Sequence, residues 1–302
     1  MTTSRTDDWR SRGGYFSWRP AQGDASPVEI FHVEMGDPGA PVLLFIHGWP
    51  TSSMDWLEVA GQLSGRFRVC ALDFPGYGFS DKPQGWGYSL ARDEELVEFY
   101  LSEIIGAEAA VIVAHDRGDS VALVHAARCA EGRLATRLEH LVLSNGNIFL
   151  PLSNLTQEQR QALDAQSWSQ VVAAVTPSML AEGMGATTFT PPRRPSDSEV
   201  EALTATFAYD DGIKVLHEGN QYLMFKPGGN RLYFIPDANH YLQVDRPDAF
   251  AKVLLHALEP PGGQAPGALE AGLGAPLLVD TSRERLPAAA GLLRAEDPAG
   301  PN

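Results

Sequence analysis

Four short apolar runs in the first half of the chain constrain its fold most strongly. They are Pro41–Ile46, Arg68–Leu72, Ala110–Val113 and Leu141–Leu143. A continuous apolar run of this length is typical of a strand buried on both faces of a parallel sheet. Residues 90–105, behind the candidate N-cap Ser89, have helical spacing, and a second predicted helix covers residues 120–130. Buried strands that alternate with helices predict a doubly wound, mostly parallel α/β sheet.

Composition divides the chain into five predicted segments. Residues 1–27 are polar and are expected to be a loose leader, and residues 28–149 form the N-terminal part of the core. Residues 150–225 contain helical patterns separated by Pro-rich breaks, which predicts a helical cap. Strand and helix patterns return in residues 226–258, the C-terminal part of the core. More than half of residues 259–302 are Ala, Gly or Pro, so this tail is predicted to be disordered.

Composition also argues against several classes of protein. The net charge of −15 disfavours nucleic acid and anionic membranes as partners. No apolar run approaches the ~18 residues of a membrane span, and the N-terminus lacks a signal-peptide pattern, which predicts a cytoplasmic protein. The two cysteines, Cys70 and Cys129, form no CxxC pair, so no disulfide scaffold or metal site is expected. We expect a soluble enzyme that acts on a small molecule without a cofactor.

The segment Val111–Ala122 carries the strongest chemical signal. A buried strand leads into Asp116, a helix follows, and the small residues Ala114 and Gly118 stand two positions to either side. This is the layout of a nucleophile elbow, in which the chain turns sharply and exposes one side chain. The positive end of the helix favours an ionised carboxylate, which can attack an electrophilic carbon and form an ester. The alternative is an aspartate that caps an ordinary helix.

Two further motifs stand where a hydrolase needs them. His47-Gly-Trp-Pro follows the first buried strand, so the backbone N–H groups of Trp49 and Arg117 would flank a developing oxyanion. Simple turn chemistry is the alternative for the His-Gly pair. His240 lies in a loop between a predicted strand and the last predicted helix. A nucleophile followed by such a histidine is the chain order of an α/β-hydrolase.

Together these motifs resemble the epoxide hydrolase and haloalkane dehalogenase branch of the α/β-hydrolases. The motifs are His47–Pro50, Asp73–Ser80, His115–Asp119 and the His240 loop. Asp81–Pro83 and Leu143–Gly146 resemble the mesoderm-specific-transcript-like group more closely. The resemblance covers roughly residues 28–258.

The resemblance implies a role for each candidate residue. Asp116 would be the nucleophile, His240 the base that activates water, and the amides of Trp49 and Arg117 the oxyanion hole. A helical cap would supply substrate-facing aromatic residues. The candidates are Trp168, Tyr209 and Tyr222. No metal and no organic cofactor is implied.

The chain departs from this family between the cap and the His240 loop. Only residues 224–231 stand where such proteins usually carry a strand, a helix and an acid-bearing loop, so about one βα unit is expected to be missing. Loss of the triad acid is the first interpretation. Other carboxyl groups could serve instead, and an amide could only orient the histidine. These alternatives are Asp237, Asp210, Asp211 and the amide of Asn147.

The substrate is constrained by the residue after the nucleophile. Haloalkane dehalogenases of this type usually have Trp where Arg117 stands, and haloacetate dehalogenases carry a second Arg where Ser120 stands. Arg117 could instead be salt-bridged, with Asp119 as a partner. Epoxide opening needs hydroxyl donors, which cap tyrosines could provide. We therefore expect a hydrolase that opens an epoxide or a carbon–halogen bond; the alternative is a truncated, catalytically impaired fold that binds a small ligand or a partner.

Overall fold

The structure is a computed structural model and describes residues 4–21, 25–146, 165–216, 218, 231–233, 242–257 and 278–280. The strands are β1 (Gly13–Trp18), β2 (Val28–Met35), β3 (Val42–Ile46), β4 (Arg68–Leu72), β5 (Ala109–His115), β6 (Arg137–Ser144), β7 (Arg231–Tyr233) and β8 (Leu278–Asp280). The α-helices are α1 (Arg5–Ser11), α2 (Leu57–Leu63), α3 (Leu90–Phe99), α4 (Arg117–Ala130), α5 (Ala165–Ala174), α6 (Pro177–Thr188), α7 (Asp197–Ala208), α8 (Leu242–Asp245) and α9 (Pro247–Ala257). Short 3-10 helices cover Ser53–Trp56 and Tyr209–Lys214, and a π-helical turn covers Tyr100–Ile104.

Six strands form one mixed sheet in the order β1-β2-β4-β3-β5-β6. Strands β3 to β6 are parallel to one another, whereas β1 and β2 are antiparallel to their neighbours. Every residue of β3 is buried, because its continuous apolar run lies between two layers of helices. The predicted α/β architecture is therefore confirmed, and the observed sheet is mixed. Most of the shortened junction, residues 224–230, lies outside the described residues.

Residues 4–21 of the N-terminal segment contain a helix and a strand, in contrast to the loose leader expected from their polarity. Ser4 caps α1, and β1 pairs along its length with β2 at the edge of the sheet. Trp9 is 1% exposed and its indole N–H donates to Ser53 Oγ at 3.1 Å. Trp18 is also buried. These two buried tryptophans hold the segment in place although its average composition is polar. The apolar area that each one buries compensates the entropy lost when the segment becomes ordered.

The helices around the sheet follow the predicted pattern with shifted ends. Helix α3 begins at Leu90 behind Ser89, whose hydroxyl accepts the N–H of Arg92. Helix α4 begins at Arg117, three residues earlier than predicted, because the turn at Asp116 leads directly into it. Helices α5, α6 and α7 lie within the segment predicted to be a helical cap.

The C-terminal part of the chain contributes the last described elements. Helix α9 agrees with the predicted final helix, and β7 covers part of the predicted strand before His240. Within the tail expected to be disordered, β8 pairs antiparallel with β7. The remaining residues of that tail lie outside the described part. Among the helices of the described part, none is long and apolar enough to cross a bilayer.

Candidate active site

Asp116 stands at the tip of a sharp turn between β5 and α4. Its backbone has φ 54° and ψ −119°, a conformation that a non-glycine residue rarely adopts and that is concentrated at functional sites. A Cβ atom on Gly118 would lie 2.7 Å from the carbonyl oxygen of His47. The turn therefore needs a small residue two positions after Asp116, as the spacing predicts.

The Asp116 carboxylate faces the loop that follows β3. The backbone N–H of Trp49 donates to Asp116 Oδ1 at 2.9 Å. The side chain makes no capping hydrogen bond to α4, which argues against the helix-cap alternative. A Cβ atom on Gly48 would lie 2.5 Å from the Cβ of Asp116, so this glycine allows the loop to approach the turn closely. Sequence reasoning had assigned no role to Gly48.

His47 holds this loop in place. Its Nδ1 lies 2.9 Å from the carbonyl oxygen of Gly48, and its Nε2 accepts the backbone N–H of Phe74 at 3.2 Å. Burial lowers the pKa of His47, an effect that the charge of Asp73 opposes, and the neutral ring with its proton on Nδ1 fits both contacts. The histidine therefore joins the loop after β3 to the end of β4 and is more than turn chemistry.

Arg117 directs its guanidinium away from the loop and into the core. It forms an ion pair with Asp93 of α3, and both side chains are 2% exposed. The suggested partner Asp119 is wrong, because its carboxylate instead accepts the backbone N–H of Ser144 at 3.2 Å. The reason is the packing of α3 against α4, which brings Asp93 next to Arg117. Burial raises the pKa of Asp93, and the guanidinium opposes this shift.

The structure places the candidate cap residues in two different environments. The ring of Trp168 lies 6.4 Å from that of Trp49, and their indole N–H groups donate to the carbonyl oxygens of Ile213 and Leu216. Trp168 is therefore next to the loop that follows β3. The ring of Tyr209 lies 5.5 Å from that of Phe79. No described contact joins Tyr209 to Asp116 or Trp49.

Of the remaining candidates, the structure describes Asp210 and Asp211. Asp210 Oδ2 accepts the backbone N–H of Lys82 at 3.1 Å, and Asp211 pairs with Lys214 at 2.7 Å. Both aspartates thus have partners at the surface of the cap. The candidates that lie outside the described residues are His240, Tyr222, Asp237 and Asn147. Within the described part, no group of three or more His, Cys, Asp or Glu side chains could hold a metal ion.

This fold and elbow define a class of protein, and comparisons with known proteins agree. Residues 41–194 match the family model described as alpha/beta hydrolase fold. The Mycobacterium tuberculosis protein LipZ is 33% identical over 74% of this chain and 73% of its own length. The human mesoderm-specific transcript homolog protein is 32% identical over 71% of this chain and 64% of its own. The chain therefore belongs to the α/β-hydrolase fold family, and the predicted resemblance is confirmed.

More distant similarities are shorter or structural. Epoxide hydrolase A of Mycobacterium tuberculosis is 37% identical over 114 residues, 35% of each chain. An alpha/beta hydrolase fold protein from Burkholderia ambifaria superposes with a TM-score of 0.60 at 20% identity, covering 80% of this chain and all of that one. The second similarity supports the fold alone.

Proposed function

We propose that this chain is a hydrolase that opens an epoxide or a carbon–halogen bond through an ester on Asp116. The observation that carries the proposal is the 2.9 Å hydrogen bond from the Trp49 amide to Asp116 Oδ1. A carboxylate nucleophile must use one oxygen for attack and keep the other as the ester carbonyl. The amide of Trp49 holds the second oxygen where a hydrolytic intermediate would carry negative charge.

The first half-reaction forms the ester. Asp116 Oδ2 attacks the electrophilic carbon, and the carbon–oxygen bond of the epoxide or the carbon–halogen bond breaks. An epoxide oxygen then takes a proton from an acid, whereas a halide leaves as an anion. Of the two tyrosines that could be this acid, Tyr222 comes first, since Tyr209 packs against Phe79.

The second half-reaction hydrolyses the ester. Water gives a proton to His240, and the resulting hydroxide attacks Cγ of Asp116. The carbonyl electrons move onto Oδ1, whose charge the Trp49 N–H stabilises, and the amide of Arg117 is the proposed second donor. Collapse of the intermediate breaks the bond between Cγ and the ester oxygen, and that oxygen takes the proton held by His240. The alcohol therefore leaves with an oxygen that came from Asp116.

Two contacts favour an epoxide over a halide as the substrate. The guanidinium of Arg117 is buried against Asp93, and the indole N–H of Trp49 donates to the carbonyl of Leu216 at 2.8 Å. Both donors are thus engaged elsewhere and are not positioned to hold a departing halide. The partial similarity to Epoxide hydrolase A supports the same choice.

A single-turnover experiment in heavy-oxygen water tests the proposal. The enzyme in excess is mixed with styrene oxide, and the peptide that contains Asp116 is analysed by mass spectrometry. We expect heavy oxygen in this peptide and none in the first diol released. The Asp116→Asn variant should form no ester, His240→Gln should accumulate it as added mass, and the exposed Asp211→Asn variant should behave like the wild type.

Heavy oxygen in the first diol, without label on Asp116, would contradict the ester mechanism. A panel of epoxides, haloalkanes and haloacids extends the test to multiple turnovers. Absence of both label and turnover across the whole panel would overturn the proposal in favour of a ligand-binding protein.

A further inference from the structure

A cleft lies between the 3-10 helix Ser53–Trp56 and helix α7. Its internal volume is about 40 Å³, space on the order of three water molecules, and one side of it is open to solvent. The apolar part of its lining comes from Met54, Phe189, Leu203 and Val244. The lining can therefore pack against a short aliphatic group.

Asp55 is a buried carboxyl group beside this apolar lining. Its side chain lines the cleft although the residue is only 9% exposed. One carboxyl oxygen accepts a hydrogen bond from the hydroxyl of Thr51. The other oxygen, Oδ1, has no donor among the residues that the structure describes. A buried carboxylate without a cation is costly, and a ligand that supplied one would remove that cost.

The other charges around the cleft are already compensated. Arg5 pairs with Glu58 at 2.7 Å, and Arg193 pairs with Glu199 at 3.1 Å. Asp55 has no such partner in the described part of the chain. The cleft therefore carries one uncompensated acidic group next to apolar side chains, in a protein whose net charge of −15 concentrates cations near its surface.

We propose that this cleft binds a small organic cation, a primary or secondary amine in its ammonium form with a short aliphatic chain. The ammonium donates to the carboxylate of Asp55, including the oxygen that lacks a donor. The aliphatic chain packs against Met54, Leu203 and Val244. This site does not use the chemistry of Asp116, so it stands whether or not the proposed hydrolase activity does.

The ionisation of Asp55 makes the proposal measurable. Burial raises its pKa to about 8, the hydrogen bond from Thr51 lowers it, and the charges of Asp73 and Asp116 raise it further. At neutral pH the free site therefore holds a proton, and an incoming ammonium displaces it. Arg5 and Glu199 are the other charged groups that line the cleft, in the free site and in the occupied site alike.

Calorimetry with butylammonium on the full-length chain tests the site. We expect release of close to one proton per ligand at neutral pH, seen as a heat that varies with the ionisation enthalpy of the buffer. Affinity should rise by about tenfold per pH unit below the pKa of Asp55 and then level off. The neutral isostere 1-butanol should bind at least tenfold more weakly.

Substitutions test the contributions of the carboxylate and of the cavity separately. Asp55→Asn should weaken butylammonium binding by at least tenfold, whereas Asp211→Asn, the same change at the protein surface, should leave it unchanged. Leu203→Trp fills the cleft without touching the carboxylate and should also abolish binding, which keeps the test decisive should Asp55→Asn fail to fold. Equal affinity for butanol and butylammonium, or binding that survives Leu203→Trp, would overturn the proposal.

Discussion

The ion pair between Arg117 and Asp93 gives the sharpest prediction about stability. Both side chains are 2% exposed, and the guanidinium also lies 5.9 and 5.6 Å from the rings of Phe74 and Tyr77. Arg117→Met leaves the carboxylate of Asp93 buried without its partner. Breaking a buried pair in this way costs about 3–5 kcal/mol, against roughly 0–1 kcal/mol for an exposed pair. We therefore expect the free energy of unfolding to fall by about 3–5 kcal/mol.

Urea denaturation followed by circular dichroism measures this loss. Arg133→Met is the matched control, because Arg133 pairs with Glu131 at 3.0 Å and both side chains are more than half exposed. It should cost at most about 1 kcal/mol. The double variant Arg117→Met/Asp93→Leu should recover most of the stability, since it leaves no buried charge.

The pH dependence of the same variant has a definite sign. Without the guanidinium the pKa of Asp93 in the folded state rises further above its unfolded value, so the folded state binds more protons between the two pKa values. Stability of Arg117→Met should therefore fall as pH rises, and its loss should be smaller at about pH 5 than at about pH 8. A loss below about 1 kcal/mol at all pH values, or single-variant losses that add up to that of the double variant, would refute the reasoning.

Three further variants probe the elbow, a cap helix and the loop between β4 and α3. Gly118→Ala should lower the free energy of unfolding by about 1–3 kcal/mol and slow ester formation on Asp116, because its Cβ would lie 2.7 Å from the His47 carbonyl oxygen. Gly183→Ala has open space around its Cβ and should stabilise its helix by about 0.5–1 kcal/mol. Thermal unfolding measures both changes in stability, and mass labelling measures ester formation. Burial lowers the pKa of Lys82 to about 8 from 10.5, so wild-type stability should rise by up to about 1.4 kcal/mol per pH unit between these values. Urea denaturation of Lys82→Met across the same pH range should show no such rise in stability. A variant whose stability rises with pH as steeply as that of the wild type would contradict this assignment to Lys82.

The parts of the fold that sequence predicted are those with local signals. Continuous apolar runs identified β3 to β6, and the hydroxyl of Ser89 marked the start of α3. The N-terminal segment was mispredicted because its stability comes from two distant contacts. Trp9 reaches Ser53, and β1 pairs with β2 across an intervening loop. Average polarity cannot report such contacts.

The candidate site shows the same division. The small residues around Asp116 and the His-Gly pair after β3 indicated a turn and a loop that the structure brings together at 2.9 Å. The direction of the Arg117 side chain could not be predicted, since its partner Asp93 lies on another helix. Asp55 was also missed, because an aspartate near a tryptophan has no local pattern that indicates a cleft.

The amino-acid sequence by itself determined which segments become buried strands and where the chain turns sharply, because both depend on residues that are neighbours along the chain. Only the tertiary structure decided which carboxylates meet a cation and which do not. Arg117 lies against Asp93, while Asp55 forms no ion pair within the described part of the chain, although Arg5 lines the same cleft. Pairing, burial and the resulting pKa shifts depend on helices and loops that meet only when the sheet and its cap assemble.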